Sequence, residues 1–544
     1  MSIRKIKIHN FKSLREFETD LNPGLNILVG DNEAGKSTIL EAIHLALTGV
    51  YCGRGIRNEI SPYLINSDAV REYLISLNSE APIAPPGLMI EIYFNGSIDP
   101  NFEGNDNTDK QEKAEGFRFE IAFAEQHKDE YEKLVQSKEI KSLPTEYYLA
   151  SWTNFGRTSV TTRIIPMKSV LIDSSNYRYQ NGSDVYISRI VKDLLEPDDV
   201  IAISQAHRRM IDGFSNDPAI AHINEKISSE STIVRGDVTL SADQGNKNAW
   251  ESSLVTQISG IPFSYIGKGA QCVIKTELAL SHKKANNAEI ILLEEPESHL
   301  SYPRLNELIS MIAEKYGDKQ IVVSTHSSFV ANKLGLSNLI LLKNGRTTRI
   351  TELESAGFFQ KIAGYDTLRL VLCRKAILVE GASDELVVQR AYMDSHDGRL
   401  PIADGVDVIS VGLTFLRFLE IAEKLSIPTC VVTDNDGDID ALKKKYSNYL
   451  GENAKPSISI CFDETVDQNE EDTSGFNYNT LEPKLLKANS LDTFNSLFGK
   501  SVASENELRQ FMKNNKTECA LSIFSSEQKI NYPEYIVRAV KDEQ

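Results

Sequence analysis

The 544-residue chain has only six cysteines and two tryptophans, and it has no long hydrophobic run and no excess of positive charge. The cysteines are scattered, without a CxxC pair or a Cys/His cluster at zinc spacing, so we expect reduced and mostly buried thiols rather than a zinc module. No apolar run approaches the roughly 20 residues that a membrane helix needs. Neither a structural zinc site nor a membrane anchor is therefore expected.

The net charge of −18 argues against a protein that coats nucleic acid over its whole surface, because such binding depends on Lys and Arg neutralising phosphates. A local basic groove is compatible with this charge, and some acidity is expected of a protein that gathers carboxylates around divalent metals. The opening MSIRKIKIHNF lacks the continuous apolar segment of a secretory signal. The composition therefore favours a cytoplasmic protein.

Length and patterning predict more than one folding unit, because domains of about 100–200 residues are typical. A strand-rich block ends in ILLKNGRTTRITEL, and a new strand–helix alternation begins at CRKAILVEG. We predict an α/β protein with one domain over residues 1–355 and a second over 370–544. The boundary is expected near 350–370.

The segment LNILVGDNEAGKSTILEA has the pattern of a P-loop, with an apolar strand, a glycine-containing loop and a helix. Backbone N–H groups of such a loop hold phosphates, its lysine reaches the β- and γ-phosphates, and the hydroxyl after the lysine contacts Mg²⁺. The residues predicted to bind ATP and Mg²⁺ are Gly30, Asn32, Gly35, Lys36, Ser37 and Thr38, with Ser37 as the metal ligand.

Two later strands end in residues that complete an ATPase site. The apolar run Ile290–Leu293 is followed by Glu294, which suits the Mg²⁺ shell, and by Glu295, which is placed to polarise the attacking water. The strand in KQIVVSTHSSFVAN ends at His326, which is placed to sense or hold a γ-phosphate. Together these residues predict ATP hydrolysis.

This order of elements resembles the ABC ATPase group that includes SMC and RecF proteins, for which SIRKIKIHNFKSLREFETDLNPGLNILVGDNEAGKSTILEAI is a typical opening. In that group, a glycine signature before the second carboxylate strand binds the γ-phosphate of ATP held by the partner subunit. YIGKGAQCVIKTELAL occupies that place here. The resemblance implies a homodimer or higher homo-oligomer, and it assigns to nucleotide binding Gly267, Gly269 and Gln271.

The region between the P-loop and this signature contains an insert at residues 180–235, whose pattern predicts several short amphipathic helices. We interpret it as a helical dimerisation region. Helical filler on the ATPase surface is the alternative.

Three β–α units follow, in KAILVEGASDELVVQRAYM, VDVISVGLTFLRFLEIAEKL and PTCVVTDNDGDIDALKKKY. Their alternation predicts a parallel sheet whose ligands lie beyond the carboxyl ends of the strands. Glu380 ends the first strand and Asp434 and Asp436 end the third, and in extended chain both aspartates would point the same way. Because packed carboxylates repel one another, Mg²⁺ or Mn²⁺ is the expected occupant.

The arrangement resembles the Toprim fold shared by topoisomerases, primases and OLD (overcoming lysogenization defect) nucleases, on the residues Glu380, Gly381, Gly412, Asp434, Asp436 and Asp438. The order of ATPase and then Toprim is similar to the OLD family, and NTLEPKLLKAN and NKTECALSIF add two matches. The resemblance implies metal ligands at Glu380, Asp384, Asp434, Asp436 and Glu482. It also implies that Lys516 stabilises charge on the reacting phosphate.

The resemblance implies a nucleotide-regulated endonuclease that cuts or nicks duplex DNA by two-metal phosphodiester hydrolysis. The subfamily that includes the Gabija antiphage nuclease subunit is the specific match, and it implies antiphage defence and a UvrD-like helicase partner. The sequence leaves open whether ATP activates or inhibits cleavage, although this resemblance favours inhibition.

Two other functions remain as alternatives. One is a RecF/SMC-like DNA-binding repair ATPase whose Toprim unit is a non-catalytic scaffold, and the other is a topoisomerase-like enzyme with a tyrosine nucleophile. The chain also departs from the family pattern HLHP, because His299 is followed by Leu300, Ser301, Tyr302 and Pro303. The second histidine of that pattern has no counterpart here.

Overall fold

The computed structural model describes residues 1–31, 33–79, 82–96, 98–109, 113–137, 140–173, 179–180, 183–184, 195–230, 240, 255–281, 287–326, 336–343, 345–349, 353, 364–467 and 476–541. Several sequence expectations fall outside these residues, namely the one for Asn32, those for parts of the insert (181–182, 185–194 and 231–235) and those for the middle of the expected boundary (354–363).

The described strands form three larger sheets and three two-stranded ribbons, whose strands are two residues long. In chain order they are β1 (Ile3–Phe11), β2 (Leu14–Asp20), β3 (Leu25–Gly30), β4 (Val50–Tyr51), β5 (Arg54–Gly55), β6 (Leu88–Phe94), β7 (Glu103–Gly104), β8 (Ala114–Phe123), β9 (Tyr148–Asn154), β10 (Ser169–Asp173), β11 (Tyr179–Gln180), β12 (Ser183–Asp184), β13 (Gln257–Ile258), β14 (Ile261–Pro262), β15 (Ile290–Glu294), β16 (Gln320–Thr325), β17 (Leu339–Lys343), β18 (Arg346–Arg349), β19 (Lys375–Val379), β20 (Val406–Ser410), β21 (Thr429–Val432) and β22 (Ile458–Cys461).

The described α-helices are, in chain order, α1 (Lys36–Thr48), α2 (Ser67–Ser76), α3 (Lys128–Ser137), α4 (Pro197–Ser215), α5 (Pro218–Glu230), α6 (Lys268–Ser281), α7 (Tyr302–Tyr316), α8 (Gly364–Leu372), α9 (Ala382–Ser395), α10 (Phe415–Leu425), α11 (Ile439–Lys445), α12 (Leu481–Ala488), α13 (Leu491–Phe498), α14 (Glu505–Asn514), α15 (Lys516–Ser525) and α16 (Glu534–Val540). Within the described part of the chain, none of these helices combines the length and the apolar character that crossing a bilayer requires.

An antiparallel sheet, called here the outer sheet, has the strand order β2-β1-β6-β8-β7, with β9 also paired to β8. Its first strand alternates buried and more exposed residues, so Ile6 and Ile8 enter the core while Lys5 stays at the surface side and bonds Asp109 at 2.9 Å. The sequence pattern did not predict this sheet.

The central sheet has the order β10-β15-β16-β3-β17-β18, and its first five strands are parallel. One face packs on α1 and the outer sheet, and the other packs on α6 and α7 at one end. Because β15, β16 and β3 are neighbours that run the same way, their carboxyl ends meet at one edge. This topology brings the P-loop, Glu294 and His326 to one place.

The C-terminal sheet has the order β20-β19-β21-β22 with all strands parallel, as the sequence predicts. One face packs on α8 and α10, and the other packs on α9 and the helices from α12 to α16. The chain is therefore an α/β protein in which two parallel sheets follow one another.

The central and C-terminal sheets share a hydrophobic cluster, in which Val29 and Leu341 pack with Val371, Phe415 and Phe418. The free face of the central sheet near β17 is thus covered by helices that belong to the C-terminal sheet. A buried lysine joins the two sheets as well. The Nζ of Lys343, the last residue of β17, donates to the carbonyl of Cys373 at 2.7 Å and lies 3.4 Å from Asp31 Oδ2 of the P-loop.

The described part of the helical insert differs from the expectation of several short helices. It contains two longer ones, α4 with 19 residues and α5 with 13. Each begins at a proline, Pro197 or Pro218, which is tolerated in the first turn of a helix because its missing N–H would be unpaired there. Met210 and Phe214 of α4 are exposed.

The helix after the P-loop contains a histidine that makes stability depend on pH. His44 Nδ1 lies 3.0 Å from the Ser169 hydroxyl, and burial lowers the pKa of His44 to about 4. Since an unfolded histidine titrates near pH 6.5, the unfolded chain binds this proton more tightly. The resulting stability is present above about pH 6.5 and is lost as the pH falls through the folded pKa.

We expect this difference to remove about 3 kcal/mol from the free energy of unfolding between pH 7.5 and pH 4. Denaturant titrations at a series of pH values measure it. His44→Gln should lack this part of the pH dependence, whereas the exposed control His222→Gln should retain it. The same pH dependence in His44→Gln and the wild type would contradict the assignment.

Candidate nucleotide and metal-binding sites

The P-loop is folded around Lys36. Its Nζ donates to the carbonyls of Gly30 at 2.9 Å and Asp31 at 2.8 Å, and it lies 3.4 Å from His326 Nδ1. Burial lowers the pKa of Lys36, while the nearby carboxylates of Glu295 and Asp31 oppose that shift. The loop therefore presents one buried cation and a row of backbone groups at the start of α1, which is what phosphate binding requires.

Two P-loop positions accept only glycine. A Cβ on Gly30 would lie 2.5 Å from the carbonyl oxygen of Leu342, and one on Gly35 would lie 2.7 Å from Leu14 Cδ2. Gly35 also has a φ of 94°, in the left-handed region that side chains disfavour. Close packing against β17 therefore accounts for Gly30, and the left-handed backbone together with the contact with Leu14 accounts for Gly35.

The two glutamates after β15 have different surroundings. Burial raises the pKa of Glu294, and a hydrogen bond with the Ser37 side chain opposes that shift. Glu295 has a φ of 40°, and its Oε1 lies 2.8 Å from His326 Nε2. A left-handed backbone at a non-glycine residue is a strained conformation of the kind that occurs at active sites. The structure thus brings together Ser37 with Glu294, and Glu295 with His326.

Glu297 is a residue to which the sequence analysis assigned no role. Its Oε1 accepts hydrogen bonds from the Thr325 hydroxyl at 2.5 Å and from the backbone N–H of His326 at 3.0 Å. It therefore joins the turn after β15 to the end of β16. Only the pairing of these two strands reveals this contact, because the residues are far apart in the sequence.

A cavity of about 590 Å³ adjoins the P-loop and has Ser13, Arg15, Asp31, Ala34 and Lys343 among its lining residues. Its volume lies within the range of small-molecule and cofactor sites. The P-loop, the cavity and the acidic strand end are together suited to a nucleoside triphosphate with Mg²⁺.

The glycine signature near α6 has three distinct environments. A Cβ on Gly269 would lie 2.5 Å from the carbonyl oxygen of His299, whereas one on Gly267 would meet nothing within 4 Å. Gln271 is buried, and its Nε2 donates to the carbonyls of Phe263 and Ile266, both at 2.8 Å. Gln271 therefore holds its own loop, and the contact of this signature with a partner's nucleotide remains a prediction.

The two glycines give a matched pair of substitutions. We expect Gly269→Ala to lower the free energy of unfolding by about 1–3 kcal/mol, because the methyl group must displace a backbone carbonyl. Gly267→Ala has open space and should stay within about 0.5 kcal/mol of the wild type. Denaturant unfolding of both variants measures the difference. Equal effects would show that His299 moves away without cost.

Acidic side chains lie at the edge of the C-terminal sheet where its strands have their carboxyl ends. They come from the first turn of α9, from the segment after β21 and from α12. Burial raises the pKa of Asp434 well above its usual range, and the charges of Asp384 and Glu482 add to that effect. Burial likewise raises the pKa of Asp384 to about 6, although its Oδ2 accepts the backbone N–H of Gly381 at 3.0 Å. Mutual repulsion thus identifies these three side chains as one cluster.

The two late matches to the family pattern lie together in the fold. Lys516, the first residue of α15, places its Nζ 3.3 Å from Oε1 of Glu482 in α12. Glu482 is buried and Lys516 is half-exposed. A half-exposed cation beside a carboxylate cluster can approach an anionic substrate.

The expectation that Asp434 and Asp436 share an extended segment is wrong. Strand β21 ends at Val432, Asp436 has a φ of 49°, and Gly437 is also left-handed at 85°. Asp436 is exposed, unlike Asp434, and its Oδ1 accepts from the Asn477 amide at 3.3 Å. The chain turns here because the glycine after Asp436 permits it.

Glu380 follows β19 at the same edge and is exposed. Its carbonyl accepts from the backbone N–H of Gly412 at 3.0 Å and from the Ser410 hydroxyl at 3.1 Å. These bonds fix the backbone of Glu380 between β19 and β20. The charge of Glu380 contributes to the raised pKa of Asp384, after the effect of burial, so Glu380 lies near the cluster.

The donor set suits a hard divalent cation, since Mg²⁺ and Mn²⁺ prefer carboxylate oxygens and would relieve the repulsion that raises these pKa values. Across the residues that the structure describes, no three His, Cys, Asp or Glu side chains converge into a complete metal-binding group. The site is thus an open cluster with acidic residues on several elements.

Models of known domain families match three parts of the chain. An AAA-domain model matches residues 5–149 and another matches 276–332, while the model for the overcoming lysogenization defect protein-like Toprim domain matches 371–436. An OLD nuclease of Thermus scotoductus is 23% identical over 467 residues, covering 80% of this chain and 82% of that protein. The chain is thus similar to an OLD nuclease over most of its length.

The N-terminal part of the chain is also similar to DNA repair proteins. A RecF protein of Stenotrophomonas maltophilia is 33% identical over 87 residues, which span 16% of the chain and 23% of that protein. An SMC head bound to the C-terminal winged-helix domain of ScpA matches with 17% identity and a TM-score of 0.31, covering 64% of this chain and 97% of that one. An ATP-bound RecF structure matches with 13% identity and a TM-score of 0.29, covering 60% and 92%.

Proposed function

We propose that this chain is an OLD-family protein and a nucleotide-regulated DNA endonuclease that cuts or nicks duplex DNA by metal-dependent phosphodiester hydrolysis. The observation that carries the proposal is the cluster of Asp384, Asp434 and Glu482 at one edge of the C-terminal sheet, with Lys516 beside Glu482. Similarity to an OLD nuclease over most of both chains supports it.

Five acidic residues at this edge would hold two divalent cations, namely Glu380, Asp384, Asp434, Asp436 and Glu482. Bound Mg²⁺ or Mn²⁺ supplies Lewis-acid activation of the phosphodiester and of water. Lys516 places a positive charge against the reacting phosphate, where charge grows in the transition state. Its half-exposed side chain can leave Glu482 for the substrate without unfolding α15.

The ATPase part, proposed as residues 1–355, would bind ATP through Lys36 and its loop, with Glu295 orienting water and His326 at the γ-phosphate. The glycines at 267 and 269 would complete the site of a second copy in a homodimer. The exposed apolar residues of α4 would contribute to that dimer. The cutting part would be residues 370–544.

We further propose that the protein is cytoplasmic, acts in antiphage defence and belongs to the subfamily of the Gabija nuclease subunit. A UvrD-like helicase would be its partner. Co-purification of the tagged chain with the product of the neighbouring gene tests this partner, and a chain that purifies alone under low salt would contradict it.

The nuclease proposal is tested on supercoiled plasmid with purified full-length protein in Mg²⁺ and separately in Mn²⁺. Nicked or linear product is expected in at least one metal and none in excess chelator. Plasmid left untouched in both metals, with and without the genomic neighbour's product, would refute the proposal. DNA binding without cutting would then favour the repair-ATPase alternative.

Regulation is tested by the initial nicking rate against ATP concentration at fixed free Mg²⁺, because ATP binds the metal and would otherwise imitate inhibition. A coupling free energy of about 1–3 kcal/mol predicts a rate change of about 5- to 150-fold. Lys36→Ala should abolish the response. A flat rate that is unchanged in Lys36→Ala would show that the two sites are uncoupled.

A further inference from the structure

The last described helix reaches the carboxylate cluster through one tyrosine. α16 packs against β21 and β22, and its apolar residues Ile536, Ala539 and Val540 lie in the core of the C-terminal sheet. Tyr535 is only 3% exposed, and its hydroxyl donates to Asp434 Oδ1 at 3.3 Å. The contact joins residues 101 positions apart, so no local sequence pattern predicts it.

The second oxygen of Asp434 has a donor of its own. The backbone N–H of Leu481, at the start of α12, donates to Oδ2 at 3.1 Å. Each oxygen of the carboxylate therefore has one donor and keeps a second lone pair for another ligand. A donor on each oxygen restrains the orientation of the carboxylate more than a single donor does.

We infer that Tyr535 is a positioning residue, which orients the carboxylate of Asp434 for a divalent cation together with the N–H of Leu481. The inference rests on the proposed function, because that function assigns Asp434 to metal binding. Groups that donate to a metal-binding carboxylate orient it, and their loss typically costs about 10- to 100-fold in metal affinity or activity.

The phenol suits this role because it is a donor under all ordinary conditions. A tyrosine hydroxyl keeps its proton at neutral pH, because an ordinary phenol titrates at about pH 10. Phenylalanine fills nearly the same volume but leaves Asp434 Oδ1 without this donor. Tyr535→Phe thus removes the hydrogen bond with little change in packing.

The same segment offers a matched control. The Tyr532 hydroxyl donates to Asp394 Oδ2 at 2.6 Å, and Asp394 pairs with Arg390 at 2.9 Å, both on α9. Tyr532→Phe removes a tyrosine–aspartate bond of the same kind, three positions earlier, at residues that are not in the carboxylate cluster. A loss of stability common to both variants would appear in their thermal unfolding without metal.

The experiment measures Mn²⁺ binding to the full chain by calorimetry without nucleotide, alongside plasmid nicking at a series of Mn²⁺ concentrations. We expect Tyr535→Phe to weaken Mn²⁺ binding about 10- to 100-fold and to shift the nicking curve to higher Mn²⁺ by the same factor. Tyr532→Phe should bind Mn²⁺ like the wild type. In an Asp434→Asn background, Tyr535→Phe should cause no further loss, because the two residues act as one unit.

Three results would overturn the inference: unchanged Mn²⁺ affinity in Tyr535→Phe, equal weakening in Tyr532→Phe, or an additive loss in the Asp434→Asn background. A wild-type chain that binds no Mn²⁺ would refute the metal site itself, and the inference with it. A wild-type chain that binds Mn²⁺ but leaves DNA intact would refute only the nuclease function. The positioning role would then stand on the binding data.

Discussion

Asp434→Ala is expected to abolish DNA cleavage in Mg²⁺ and in Mn²⁺ while the protein stays folded. The residue lies at the centre of the cluster, where burial and the charges of Asp384 and Glu482 oppose its ionised form. Removing that carboxylate deletes a metal ligand and also relieves repulsion in the metal-free protein. Residues that act as part of one catalytic unit cost about 10⁴-fold or more when removed.

Nicking of supercoiled plasmid and thermal unfolding of the same samples measure the two parts of this prediction. Asp440→Ala is the matched control, since Asp440 is an exposed acid in the first turn of α11 and is not in the cluster. It should cut like the wild type. Cleavage by Asp434→Ala within tenfold of the wild type, about 1.4 kcal/mol in activation free energy, would remove Asp434 from the active site.

Lys36→Ala and Glu295→Gln are expected to damage the nucleotide site in different ways. Lys36 is the buried cation of the P-loop, and its loss should weaken ATP binding by about 10- to 100-fold. Glu295 pairs with His326 at 2.8 Å and is assigned to the attacking water. Glu295→Gln should keep ATP affinity and slow hydrolysis by about 10²- to 10⁴-fold.

Binding of a fluorescent ATP analogue and release of phosphate separate these effects. Glu307→Gln is the control for the glutamate, because Glu307 is an exposed acid on α7 that pairs with Arg304. It should change neither quantity. If Glu295→Gln lost as much ATP affinity as Lys36→Ala, Glu295 would belong to the binding site rather than to the chemistry.

The sequence predicted those parts of the sites that lie at strand ends of a parallel sheet. Lys36, Glu294 and His326 could be placed together because β3, β15 and β16 run the same way and their carboxyl ends meet. Glu482 and Lys516 came from the family resemblance instead. In the structure, the Nζ of Lys516 lies 3.3 Å from Oε1 of Glu482.

Other parts depend on pairings between distant segments, which local pattern does not encode. The outer sheet pairs β1 with β6, which is about 80 residues later in the chain. The Tyr535–Asp434 contact likewise joins the last described helix to the segment after β21. The prediction of an extended chain from Asp434 to Asp436 failed because the backbone at Asp436 is left-handed. The sequence shows that residue 297 is a glutamate, but it does not show that Glu297 accepts hydrogen bonds from Thr325 and His326.

The cluster shared by the two parallel sheets has a consequence for dividing the protein. In this cluster the central sheet contributes Val29 and Leu341, and α10 contributes Phe415 and Phe418. Each pair is buried by the other. A chain cut between residues 349 and 364 would expose an apolar face on both fragments, which favours aggregation in each. The halves should therefore be produced together and recovered as one complex. For the same reason, if either half is exchanged for that of a relative, the cluster residues of the other half must be changed to match.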